Sequence, residues 1–391
     1  MQEQEEKYSA FVRWLKRKQP FGRYNMKLFA NKDNQGESRG GSHAAEPSKK
    51  QMIRNVLLCA LAVLLLVACI FVIVKLVGFV KDVLTPPVPE QPDGPYTPVD
   101  DPQNPDGPGT SGDEDRKLKK NFFTFLIGGT NDGYNVDSIM VGSIDMTTLE
   151  CNVISIPRDT FIDTNAKIKR INGTYGRVGI EGEGGLLYAV WGLTGIYPQY
   201  YCIVNMKQFI EIVDIIGGVD FNVPYNMYHK DLDPDFHIDL KQGQQKLDGK
   251  KALMLVRYRG TKMNDFGRMD LQKDFLTAML KQVKNKFTID KATAIITTAY
   301  KSMKTNMPLD DMIYFYTDAL RKMNLNENIH FYTMPWLGTG KYNGQDYVYL
   351  NEADALELIN KTINPYNEDM TERDLYIDEL YKKYDINISK W

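Results

Sequence analysis

Histidine is scarce in this chain. Its 391 residues include four, at positions 43, 229, 237 and 330, and none stands in an HExxH or other metal-ligand spacing. A GxSxG elbow, a P-loop and a CxxC pair are equally absent, which argues against a zinc hydrolase or a serine esterase. Cysteine is almost as rare. Of four, Cys59 and Cys69 lie in an apolar run, which leaves Cys151 and Cys202, too few for a disulfide framework. Whether those two pair cannot be read from their spacing. Basic residues vanish between Lys81 and Arg116 while acids accumulate, an asymmetry hidden by the net charge of −2. That net charge argues nothing about nucleic acid, and no internal repeat is present.

One long apolar run is there. Val56–Val74 holds 19 uncharged residues, about 28 Å as a helix and so roughly the thickness of a bilayer core. The alternative is a cleaved signal peptide, whose apolar segment is shorter and sits near the chain start. Here about fifty polar and charged residues come first, which favours an uncleaved anchor. Residues 1–54 carry twelve Lys/Arg against six Asp/Glu. The positive-inside rule therefore puts them in the cytoplasm and the rest outside, as a single-pass protein of the cell membrane. The expected organisation is a disordered basic tail (1–54), a transmembrane helix (55–80), a Pro/Asp/Gly-rich extracellular linker (81–118), a folded domain (119–370) and a C-terminal tail (371–391).

Within the domain, FFTFLIGG, SIMVGSID, CNVISIP, VDFNVP and KALMLVRYR read as strands. LLYAVWGL, MKQFIEIVDII, DFGRMDLQKDFLTAMLKQVKNK, DKATAIITTAYKSM, MIYFYTDALRKM and EADALELINKT read as helices, the second stopped by Gly217–Gly218. A strand IHFYTMPW precedes a Gly-rich turn. Strands alternating with helices predict an α/β domain whose sheet is covered on both faces.

Several charged residues fall where an anion could be held. Arg257 and Arg259, two apart on the expected strand, would share one face at its carboxyl end, where open α/β sheets bind ligands. Two guanidinium forks there suit a phosphate or diphosphate, or else are solvated surface groups. Arg268 and Gln272 extend the apolar stripe of the following helix toward its N-terminus, where anions are favoured. A structural salt bridge to Asp265 is the other reading. Arg158 and Asp159 emerge after a buried strand ended by Pro157, although Asp159–Thr160 would also suit a cap. Asp137 precedes another strand and by itself would be a turn acid. Together these residues supply what phosphoryl transfer needs: cations for phosphate oxygens and carboxylates for Mg²⁺ or a proton.

In order along the chain, FLIGG, VDSIMVGSID, SIPRDT, KRINGTYG, YYCIVNMKQFIEIVDIIGGVDFNVP, LKQGQQKLDGKKALMLVRYRG and DFGRMDLQKDFL resemble the LytR–CpsA–Psr (LCP) family, which attaches glycopolymers to peptidoglycan. The resemblance spans about residues 121–366. It implies a three-layer α/β/α domain with a central mixed sheet and an apolar cavity for a polyprenyl chain. It implies a phosphotransferase moving an anionic glycopolymer of teichoic acid or capsule type from a polyprenyl-diphosphate carrier to peptidoglycan, with membrane lipid as a partner and no nucleic acid. The alternative is a non-catalytic scaffold for lipid-linked precursors. By motif position, Arg158, Arg170, Arg257, Arg259, Arg268 and Gln272 match diphosphate-binding residues, and Asp159 and Arg158 are the catalytic candidates. Arg170 stands where a lysine is common. Asp137 matches a ligand for Mg²⁺, the expected cofactor. Two departures stand out. The family's Gly-x-Asp is here Gly128-Gly129-Thr130, leaving Thr130 or the nearby Asp132 as substitute ligands, and an arginine two before the metal aspartate is Asn135.

Overall fold

The computed structural model describes residues 116–131, 134–164, 166–175, 183–230, 237–260 and 265–387. The expected basic tail, transmembrane helix and nearly all of the linker, together with Asp132, lie outside the described residues. Among the described residues no helix is long and apolar enough to cross a membrane.

The described residues open with three strands, β1 (Phe122–Thr130), β2 (Val136–Asp145) and β3 (Glu150–Ser155), joined as an antiparallel meander. Helix α1 (Glu183–Thr194) returns the chain to β4 (Tyr200–Asn205), which pairs parallel with β1. Helix α2 (Met206–Ile215) follows at once, its N-terminus closed by a capping box in which Asn205 and Gln208 satisfy each other's backbone. A smaller lobe then forms: β5 (Val219–Val223), β6 (Met227–His229), β7 (Ile238–Leu240), β8 (Gly243–Leu247) and α3 (Gly249–Arg257). The long helix α4 (Asp265–Lys286) and α5 (Ile289–Tyr300) lead to β9 (Lys304–Thr305), to α6 (Leu309–Tyr314) with a π-helical continuation, and to β10 (Ile329–Thr333). A hairpin of β11 (Trp336–Tyr342) and β12 (Gln345–Leu350), α7 (Glu352–Thr362) and α8 (Ile377–Lys383) complete the fold.

The main sheet is mixed, in the order β10-β3-β2-β1-β4-β9. Period-two alternation gives its faces different neighbours. Leu126, Val141 and Ile154 share one core with Leu186 and Val190 of α1 and Ala355 and Ile359 of α7. On the opposite face Ile144 and Cys151 meet Leu280 of α4 and Met323, and Phe123 packs edge-on against Phe315 at 5.2 Å. The sheet is therefore covered on both sides. A second core under α2, α3 and α4, with Val213, Leu255 and Phe275, knits the smaller lobe to the long helix.

Three expectations need correction. The segment KALMLVR is a helix, not a strand. Ala252 and Leu255 are its buried positions, Asp248 accepts from Lys251 N as N-cap, and Ala, Leu, Met and Lys all favour helix. The Gly-rich stretch before β12 is itself strand, with the turn at Asn343–Gly344, both at positive φ (49° and 77°). Nor do the domain limits stand at 119 and 370. Arg116 pairs with Asp374 at 2.8 Å, Leu118 bridges to Tyr366, and Ile377, Leu380 and Tyr381 of α8 are buried in the main core.

Cys151 and Cys202 are both free. They stand on β3 and β4, three strand positions apart in the sheet, hence separated by at least about 14 Å, twice the reach of a disulfide.

Candidate functional site

Between the second face of the sheet and helices α2, α3 and α4 lies a cavity of about 660 Å³. Its inner wall is apolar: Ile127 and Met140 from the sheet, Phe209 from α2, Val256 from α3, Phe275 and Met279 from α4. Among the described residues, Arg158, Arg257, Arg259 and Arg268 all line the same cavity, against the single carboxylate of Asp137. Four positive charges less one negative leave a formal excess of three, so a dianionic or trianionic head is electrostatically matched.

Each arginine arrives by a different route. Arg158 follows β3, where Pro157 ends the strand, and its Nη1 donates to Asp137 Oδ1 at 2.5 Å. Arg257 closes α3 and Arg259 stands two residues beyond. Neither occupies a strand end, yet a cation at a helix C-terminus is favoured by the macrodipole, so the corrected assignment still delivers positive charge here. Arg259 Nη2 approaches Asp137 Oδ1 at 3.9 Å. Arg268, on the first turns of α4, is only 3% exposed. Its Nη2 donates to the Asp137 carbonyl oxygen at 2.8 Å; the Asp265 side chain lies outside the described residues. A buried guanidinium is costly unless paired and hydrogen-bonded, and this bond partly repays that cost while holding the group at the cavity wall.

Gln272 acts as a staple. It accepts from Ser138 Oγ at 3.0 Å and donates Nε2 to Val256 O at 3.1 Å. The second bond satisfies a carbonyl in the last turn of α3 and so fixes the helix end that carries Arg257.

Arg170 is not among the cavity-lining residues. Its guanidinium donates to Asp346 O through Nε at 3.1 Å and Nη2 at 2.9 Å, lies 5.6 Å from the Tyr347 ring centre, and stands 3.4 Å from Asp159. Asp159 in turn lies 3.7 Å from Arg158. A chain of alternating charges thus runs Arg170, Asp159, Arg158, Asp137, Arg259, and the geometry gives Asp159 an orienting contact on Arg158.

Thr130 ends β1 in the cavity wall, beside Asn131. Among the described residues, no cluster of three or more His, Cys, Asp or Glu could by itself hold a metal. Mg²⁺ asks for less than that. It is commonly held by one or two carboxylates with substrate phosphates and water completing the shell. Asp137 is the described cavity carboxylate that would take that role, and Thr130 and Asn131 line the same cavity.

Tyr228 and His229 of β6 and Ile238 of β7 also line the cavity, although nothing in the sequence singled them out. Their strands are three residues long, too short to show an alternation.

An apolar cavity mouthed by guanidinium groups has the shape and charge that would suit an amphiphile with an anionic head. The family model that matches residues 107–364 is that of the LytR_cpsA_psr family. The chain belongs to this family. It is 28% identical over 266 residues to polyisoprenyl-teichoic acid–peptidoglycan teichoic acid transferase TagV of Bacillus subtilis, covering 64% of this chain and 66% of that one, just under two thirds of the relative's length. A relative named as the corresponding transferase TagU of Bacillus cereus is 28% identical over 262 residues, 64% of this chain and 82% of the other. The crystal structure of B. subtilis TagV superposes with a TM-score of 0.54 at 24% identity, over 69% of this chain and all of that one, a likeness of fold.

Proposed function

We propose that the protein is a phosphotransferase that moves an anionic glycopolymer from a polyprenyl-diphosphate carrier to peptidoglycan, outside the cytoplasm and tethered by the apolar segment 55–80. The observation that carries this reading is the convergence of Arg158, Arg257, Arg259 and Arg268 on one apolar cavity. A prenyl chain gains about 0.8 kcal/mol for each methylene removed from water, and planar guanidinium forks suit diphosphate oxygens. The names of the relatives point the same way.

In this mechanism the prenyl chain occupies the apolar interior and the diphosphate sits among the arginines. A hydroxyl oxygen of a peptidoglycan sugar attacks the phosphorus nearest the glycan. The bridging P–O bond breaks, and polyprenyl phosphate leaves with the electron pair. The hydroxyl proton passes to water, because a loose phosphoryl-transfer transition state needs little base assistance. Arg158 and Arg268 stabilise the transferring phosphate, while Arg257 and Arg259 take the leaving one. Asp159 orients Arg158. Asp137 would hold Mg²⁺, which neutralises phosphate charge when bound.

A scaffold that binds without turnover is the second reading, favoured by the pairing of Asp137, the cavity carboxylate among the described residues, with Arg158 and Arg259. The full-length protein in nanodiscs, given labelled lipid-diphosphate glycan, Mg²⁺ and peptidoglycan, separates the two. Transfer of label with release of polyprenyl phosphate, lost in Arg257→Ala, is expected. Tight binding with neither release nor transfer would leave only the scaffold.

A further inference from the structure

Beside the cavity, and outside its lining, is an exposed aromatic platform. Trp336 is 43% exposed, one of few large apolar side chains so displayed among the described residues. Its ring stacks on Phe266 with centroids 4.8 Å apart and planes 23° from parallel. One face of the indole is thereby backed, and the ring is held rigid.

The location is tied to the reacting centre from both sides. Phe266 lies on α4 three residues before Met269 and so on the same face of the helix, while the Arg268 side chain leaves the axis about 200° away. Trp336 begins β11, directly after a segment bonded to the end of β3, where Met334 N donates to Ser155 O at 2.9 Å, and to the residue after β12, where Asn351 N donates to Pro335 O at 3.0 Å. Ser155, Arg158, Arg268 and Met269 in turn share one narrow crevice. The same strand end therefore positions both Arg158 and the tryptophan.

We propose that Trp336, braced by Phe266, is a stacking platform for a pyranose ring of the acceptor glycan. An exposed indole face offers apolar, polarisable area to the C–H face of a sugar while the sugar's hydroxyls stay hydrated, the division of labour that suits aromatics at wet interfaces. The acceptor is favoured over the donor by the in-line requirement. The attacking oxygen must approach from the side opposite the departing prenyl phosphate. That phosphate departs toward the cavity, and Trp336 stands outside it. Binding an acceptor sugar there would hold its hydroxyl near the phosphorus and lower the entropic barrier to attack.

This inference rests on the transferase reading, and the test keeps the two apart. The full-length protein is assayed with lipid-diphosphate glycan and a short peptidoglycan oligosaccharide, varying each in turn. Trp336→Ala should raise the acceptor KM about five- to tenfold, the loss expected for one aromatic contact, with donor KM unchanged. Trp336→Phe should restore most of it. An unchanged acceptor KM, or a rise confined to the donor, overturns the platform. If wild-type protein neither transfers nor releases lipid phosphate, the transferase reading fails by itself. Direct titration of the oligosaccharide then still decides, since equal affinity for wild type and Trp336→Ala sinks the inference.

Discussion

Arg268 offers the sharpest test of the site, because the structure gives it both an internal bond and a place in the cavity wall. It is 3% exposed, lines the cavity and donates to the Asp137 carbonyl at 2.8 Å. Arg268→Met keeps most of the side-chain length and apolar volume while deleting the charge and the donor. On the stability side, a hydrogen bond from a charged group contributes about 1.5–3 kcal/mol, offset in part because a desolvated guanidinium is also removed. A net loss of about 1–2 kcal/mol is expected, which for a domain of this size lowers Tm by roughly 2–8 °C. On the binding side, one missing charge-assisted bond to a diphosphate weakens affinity by roughly 10- to 150-fold. Calorimetric titration with a prenyl diphosphate reads this, and the matching prenyl alcohol serves as control. The alcohol should bind wild type and variant alike, since the apolar wall is untouched. A folded variant that binds the diphosphate within about twofold of wild type would falsify the view that Arg268 faces the anion.

Other consequences are more local. Burial raises the Glu352 carboxyl above its ordinary value of 4.5, although it accepts from the backbone N–H of Ile377 and Asp378 at the start of α8. A raised acid pKa means that the folded state binds more protons, so this stabilising term is full at low pH and fades as pH rises through the folded value. Glu352→Gln should flatten the fall in Tm from about pH 4.5 upward; a slope equal to wild type would remove Glu352 as its source. Burial pushes the Cys151 thiol up to about 12, with Glu150 adding to it, and the Cys202 thiol up to about 11. Iodoacetamide at pH 8 should therefore label neither until the protein unfolds, as thiolate is the reactive form; fast native labelling would contradict the burial. At Gly142 an added Cβ would stand 2.5 Å from Asn152 O on the paired strand and 2.6 Å from the Phe125 ring. Gly142→Ala should cost about 1–3 kcal/mol in urea unfolding, and an unaltered midpoint would place the β2–β3 register in error.

Much of the site was readable before the fold. Arg158, Arg257, Arg259, Arg268, Gln272 and Asp137 were all singled out, and all line one cavity. Two of them, Arg257 and Arg259, reach it from the end of a helix instead of a strand. LMLVRYR looks like a strand because short apolar runs lack a decisive period. The winning signal was the Asp248 cap with the Ala252 and Leu255 spacing. The β11–β12 turn had a legible marker in Asn343–Gly344, overlooked beside Gly338 and Gly340. Arg170 shows a different limit. Motif position aligned it with anion-binding residues, but its bonds to Asp346 O point it along the hairpin, not into the cavity.

By itself, the amino-acid sequence determined what is local or periodic. That covers the alternating strands β1 to β3, the amphipathic run of α4, the glycine stop after α2 and the unequal charges flanking the apolar segment. Tertiary structure alone decided which of these meet. Arg158 and Arg268 are 110 residues apart in the chain, and only the packing of α4 across the sheet brings both to Asp137. The physical reason is that side-chain direction in an element follows from its period, whereas the distance between elements follows from how apolar faces exclude water together. The cavity, the tether on Asp159 and the stacked Trp336 are all products of that second kind of constraint.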